Sequence, residues 1–157
     1  LSPQEWKASR AAAHQGWNVA TCLFPRARST FVTRDWTALR SIFADHAVFE
    51  FPGLGSFDSP DSFVDAVQRV LEDAETVHHG HMPEITFTDD AHASGVWAMY
   101  DRVSRPKSAA SLPGYTADLG LSFEGYGHYH ETYVLIDGAW KIERLELRRL
   151  KVVPLAQ

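Results

Sequence analysis

Three histidines, His78, His79 and His81, fall within four positions in the stretch TVHHGHMPEIT (residues 76–86). Imidazole is the side chain whose ordinary pKa lies nearest neutral pH, so this stretch holds the densest set of proton-exchanging groups in the chain. An imidazole of that kind can remove a proton from a carbon beside a carbonyl. A carboxylate bonded to its other nitrogen would fix the tautomer and stabilise the imidazolium that forms. Asp101, in the run WAMYDR, is the carboxylate that pairs with His78 as a candidate catalytic couple. An apolar pocket and a hydrogen-bond donor for the developing oxyanion would complete such a site. Tyr115, Tyr126 and Tyr129 are the candidate donors, and Trp97, Met99 and Tyr115 are candidate substrate contacts.

His128 and His130 form a second group. As i, i+2 neighbours on a strand they share one face, and Glu131 points away from it. On a concave face they would line the pocket and orient a polar substrate; on an outer face they would sit at a dimer interface. Two histidines at this spacing also suit a metal, with His78, His81 or Asp101 completing the set, but no metal is assigned. His14, His46, His79 and His92 read as surface residues, and His81 as a hydrogen-bonding turn or strand residue. Cys22 reads as a small buried hydrophobe, because nothing nearby lowers its pKa. Asp35 stands early in a helix, where the dipole favours a carboxylate. Arg148 and Arg149 read as a solvated or interface pair rather than a phosphate clamp.

The elements that must carry these groups follow from periodicity. Ser2, Pro3 and Glu5 predict a helix start running to about Gln15, and residues 17–30 predict a connection or a broken helix, since Pro25 forbids a continuous one. Trp36, Leu39, Ile42 and Phe43 recur at helical spacing up to about Asp45, and residues 47–51 predict a short strand. Ser59-Pro60-Asp61 caps a second helix with an apolar stripe of Phe63, Val67, Val70 and Leu71. After Glu75 the period changes to two. Residues 92–103 put Trp97, Met99 and Asp101 on one face, with Val96, Ala98 and Tyr100 on the other. Residues 104–120 predict a long loop, of the kind that serves as a lid or binding loop. Residues 127–136, the turn Asp137-Gly138 and residues 140–153 predict a hairpin. In its second strand the apolar parity slips between Ile142 and Leu145, which predicts a β-bulge near Glu143-Arg144. Helices first and a long antiparallel sheet after them make an α+β domain, and a bent sheet crossed by helices leaves a conical cavity for a small molecule.

Composition sets the outer bounds. A chain of 157 residues suits a single domain over residues 1–157 with one core. A net charge of −5 supplies no basic patch, which argues against nucleic acid and anionic membrane as partners. A lone cysteine forms no internal disulfide, and neither a membrane-length apolar run nor a signal-peptide pattern is present; cytoplasmic localisation is the expectation.

Four blocks in order, FADHAVFEFPG, TVHHGHMPEIT, GVWAMYDR and GYGHYHETYVLIDGAWKIERLELRRL, resemble the SnoaL-like branch of the nuclear-transport-factor-2-like superfamily over about residues 35–153. The resemblance implies a cone-shaped roll of a bent antiparallel sheet with N-terminal helices over its concave face. It also implies a homodimer or higher homo-oligomer acting without metal or organic cofactor. The family's dehydratases place a catalytic His where His78 stands, and one of them a carboxylate where Asp101 stands. Their Tyr and Asp on the preceding helix fall at Ala27 and Val32, which exchange no proton. The function so implied is a lyase, isomerase or cyclase acting on a hydrophobic oxygenated small molecule of polyketide, steroid or terpenoid type. The alternative is a non-catalytic small-molecule-binding member that has lost those two groups. A metal-dependent enzyme using the His128/His130 face is the third class.

Overall fold

The computed structural model of the chain describes Ser2, Thr30, residues 33–106 and residues 122–155. The helix expected at residues 2–15, the irregular segment after it and the loop beyond residue 106 lie outside the described residues, apart from Ser2 and Thr30.

Helix α1 spans Trp36–Ser41 and is capped by Asp35, whose carboxylate accepts the Ala38 amide at 2.9 Å. It is shorter than its apolar spacing predicts, because Phe43 already belongs to strand β1, Phe43–Phe51. Residues 39, 42 and 43 are buried either way, so burial alone could not separate the last helical turn from the first strand residue. The Ile142 amide decides it by donating to the Ile42 carbonyl at 2.9 Å, which draws the chain into the sheet. After the short strand β2, Gly55–Phe57, helix α2 spans Pro60–Leu71 with Ser59 as its cap and Pro60 in its first turn. Its stripe of Phe63, Val67, Val70 and Leu71 is buried as the spacing predicts, and Val64 is buried with it.

Four long strands follow: β3, Glu75–Phe87; β4, His92–Ser104; β5, Phe123–Ile136; and β6, Ala139–Pro154. The sheet runs β2-β1-β6-β5-β4-β3 and does not close on itself. All neighbours are antiparallel except β1 and β6, which are parallel, so the expected antiparallel sheet contains one parallel pair. The β5–β6 turn has positive φ at both Asp137 (49°) and Gly138 (77°), the two-residue geometry whose twist matches that of the strands.

Irregularities supply the bend. In β6 the register with β5 shifts at Glu143, where the parity slip predicts a bulge, and again at Leu150, where it does not. In β3 it shifts between His81 and Glu84; Met82 takes φ 43°, and Pro83 is tolerated because β3 is an edge strand. The core fills the hollow between sheet and helices. The Phe63 ring from α2 stacks on Phe49 at 4.1 Å and meets Phe43 edge-on at 5.7 Å. Burying a side chain of this size contributes roughly 2–3 kcal/mol.

Candidate active site

Antiparallel pairing of β3 with β4 sets His78 directly opposite Asp101. Both side chains reach the hollow of the sheet and line one cavity. Its remaining wall is mostly apolar, drawn from α1 (Leu39), β1 (Phe43, Phe51), α2 (Phe63, Val67) and β6 (Leu145), with polar groups only at a few points. That composition fits a small-molecule site: apolar surface for affinity and few polar groups for orientation. His78 is half-buried, with its Nε2 atom inside.

Asp101 is only 3 % exposed, and its charge is met by Arg149 from β6. Arg149 Nη1 donates to Oδ1 at 2.9 Å and Nη2 to Oδ2 at 2.7 Å, a side-on fork that uses both carboxylate oxygens. The guanidinium also lies 5.1 Å from the centre of the Phe123 ring, which favours a cation over its face. Strand β5 lies between the two partners, and the pair spans it at Gly125. A Cβ there would come within 1.8 Å of Arg149 Nη1 and 2.1 Å of Asp101 Oδ1, so the ion pair occupies the space a side chain would take.

Arg149 departs from the reading of Arg148 and Arg149 as a solvated or interface pair: Arg148 is exposed, but Arg149 turns inward with its side chain 12 % exposed. The signal was present in the sequence. Once the parity slips at Glu143, positions 145, 147 and 149 share the inner face.

A second buried carboxylate, Glu131, lines the same cavity from β5. The Tyr133 hydroxyl donates to it, and Trp97 Nε1 donates to that hydroxyl at 2.8 Å. Burial first, and then the neighbouring Glu131 charge, push the Tyr133 phenol well above its ordinary pKa, so it stays protonated and keeps donating. Sequence reasoning assigned Glu131 no role.

The other expected residues distribute as follows. Trp97 and Met99 share the inner face with Asp101 and are buried, but neither lines this cavity; Trp97 acts behind it, through Tyr133. Tyr129 lines the cavity. Tyr126 does not: it lies outside beside Tyr100, and both hydroxyls donate to Glu124 at 3.1 Å. Tyr115, Ala27, Val32, Cys22 and His14 lie outside the described residues.

His128 and His130 alternate with Tyr129 and Glu131 and therefore occupy the opposite, outer face. There they stand across from Arg148 and Glu146, with ring centres 6.4 Å apart. Burial and then the Arg148 charge hold the His130 pKa below its ordinary value. His79 and His81 are exposed on that side too, while His46 and His92 contact Glu143 and Asp89. Among the described residues no three His, Cys, Asp or Glu side chains converge as a metal site. Among them, too, no helix is long and apolar enough to cross a membrane.

Several solved structures share this fold. A hexachlorocyclohexane dehydrochlorinase (LinA type 2) is similar at 23 % identity, with 99 % of this chain and 94 % of that one covered and a TM-score of 0.71. LinA type 3 from Novosphingobium barchaimii is similar at 22 % identity, with 99 % and 95 % covered and a TM-score of 0.70. A putative scytalone dehydratase from Novosphingobium aromaticivorans superposes with a TM-score of 0.77 at 15 % identity, covering 95 % of this chain and 93 % of that one. At these identities the likeness is one of fold, the cone-shaped nuclear-transport-factor-2-like roll. The SnoaL-like domain model matches residues 25–146, most of the chain, and by that match the protein belongs to the SnoaL-like domain family.

Proposed function

We propose that this protein is a lyase, isomerase or cyclase that acts on a hydrophobic, oxygenated small molecule by His78 acid/base chemistry. The observation that carries the reading is the direct opposition of His78 and Asp101 across β3 and β4 on the wall of an apolar cavity. In this scheme His78 removes a proton from a carbon beside a carbonyl, and the electron pair moves into an enolate. The enolate then expels a leaving group from the β-carbon, or takes a proton back at another carbon. The imidazolium returns its proton to the departing hydroxyl or to that carbon, which restores the neutral base. Asp101 stabilises the imidazolium, and Arg149 supplies the positive charge without which a buried carboxylate is costly. Tyr129, which lines the same cavity, is the candidate donor for the enolate oxygen. The structural neighbours named as a dehydrochlorinase and a putative dehydratase support an elimination over other chemistries.

A second reading draws on a specific observation. Both Asp101 oxygens are engaged by Arg149, and on an ungapped reading of the resemblance Ala27 and Val32 fall where the dehydratases carry their Tyr and Asp. A member of the fold that binds a small molecule without turning it over would fit those facts. A panel of β-hydroxy ketones on bicyclic and steroid skeletons, followed by mass spectrometry, separates the two readings. The enzyme reading expects water loss from at least one member, slowed roughly 10²–10⁴-fold in His78→Ala with binding retained. Binding without loss of water by the wild-type protein would favour the second reading.

A further inference from the structure

The His78–Asp101–Arg149 group is not the only charged group on the cavity wall; Glu131 lines it too. Glu131 stands opposite Gly95 on β4, six residues from Asp101 along the same strand, which at about 3.3 Å per residue is roughly 20 Å of strand. Most of the remaining lining is apolar, with Phe43, Phe63, Val67, Ile142 and Leu145 among it, and Tyr129 stands between the two on β5. A carboxylate on such a wall costs free energy unless hydrogen bonds hold it, and here a string of donors does so. Trp97 Nε1 donates to Tyr133, and Tyr133 donates to Glu131; the three residues are 4 %, 1 % and 5 % exposed. The backbone is shaped around that string. A Cβ at Gly95 would stand 2.8 Å from the Tyr133 hydroxyl and 2.7 Å from Ile85. A carboxylate carries about four lone-pair sites and accepts several hydrogen bonds at once.

We propose that Glu131 is a specificity-determining residue that accepts a hydrogen bond from a substrate hydroxyl at the end of the cavity away from His78. The substrate class is then an elongated apolar skeleton carrying an oxygen function at each end, one at His78 and a hydroxyl at Glu131. Assignment of the reacting end to His78 rests on the proposed function; the Glu131 end rests on its own geometry. Tyr133 and Trp97 act through Glu131 by fixing its orientation.

The test is calorimetric binding of β-naphthol and β-methylnaphthalene, which differ only in a hydroxyl replaced by a methyl. The wild-type chain is expected to prefer the naphthol roughly tenfold or more, as a hydrogen bond to a charged acceptor allows. Glu131→Gln should bring the two affinities within about threefold of each other, while His78→Ala keeps the preference. No preference in the wild type, whether both probes bind or neither does, overturns the proposal. So does a preference that survives Glu131→Gln or that His78→Ala removes. A readout on the unaltered chain guards against a misfolded variant: β-naphthol should move the Trp97 indole N–H resonance and β-methylnaphthalene should leave it in place. Equal movement by both probes contradicts the assignment. A naphthol preference that is absent from the wild type or survives Glu131→Gln, with His78-dependent turnover intact, would sink this proposal alone; a Glu131-dependent preference without His78-dependent turnover would sink only the catalytic one.

Discussion

Arg149 and Asp101 are worth more to the fold than the exposed ion pairs, because neither charge has water to fall back on. Arg40 with Asp45 and Arg144 with Glu50 bridge at 2.9 and 2.8 Å but stand in solvent, where such pairs contribute about 0–1 kcal/mol. Arg149→Met strands the Asp101 carboxylate in an apolar cavity and should cost about 3–5 kcal/mol in urea unfolding. Asp101→Leu combined with Arg149→Met should recover most of that loss, since the unpaired charge is then gone. His130 offers a pH test. Its folded pKa lies below the ordinary 6.5, so the unfolded chain takes up its proton first. The resulting stability is present above about pH 6.5 and is lost as pH falls through the folded value. His130→Gln should therefore lose less stability than the wild type between pH 7.5 and pH 5.5 (both roughly chosen to bracket the ordinary value); an equal loss would contradict the shift. At this scale the His78–Asp101 pairing was legible through the resemblance to the dehydratases, and the β3–β4 register sets the two residues opposite each other. Arg149 and Glu131 were not, because a charged residue in a polar run looks solvated until its strand parity is counted. His128 and His130 show the same limit: their shared face was correct, but nothing local tells which side of a sheet is concave.

Among the elements, the β5–β6 hairpin was read with the least ambiguity, since Asp-Gly between two alternating runs specifies a turn with φ positive at both residues. Gly138 sits at φ 77°, and Gly138→Ala should cost roughly 1–2 kcal/mol in thermal unfolding, the left-handed penalty for a side chain. The bulge at Glu143 was legible from the parity slip. The one at Leu150 was not, because Leu150 is 74 % exposed and its apolar side chain hides the change of parity that exposure would otherwise reveal. Helix α1 was read too long for a related reason: apolar residues at 39, 42 and 43 satisfy a helix, but pairing of β1 with β6 claims Phe43 for the sheet.

For the whole molecule, the α+β order followed from the change of period after Glu75 and the bend of the sheet from the parity slip near Glu143, and the structure agrees. The parallel β1–β6 contact was not foreseeable, because it joins the first and last strands of the described sheet across about 100 residues of chain. Phe63 ties the layers together through Phe43 and Phe49, and Phe63→Ala should destabilise by about 3–5 kcal/mol. All of these features converge on one cavity with His78 on its wall. The measurement that tests its role most directly is solvent-deuterium incorporation beside the carbonyl of α-tetralone, followed by NMR in heavy water. That reaction asks only whether the protein can remove the proton. The expected result is exchange by the wild-type chain well above the buffer rate and exchange at the buffer rate by His78→Ala. Exchange by both proteins at equal rates, or by neither above the buffer rate, would contradict the assignment of His78 as the acid/base group.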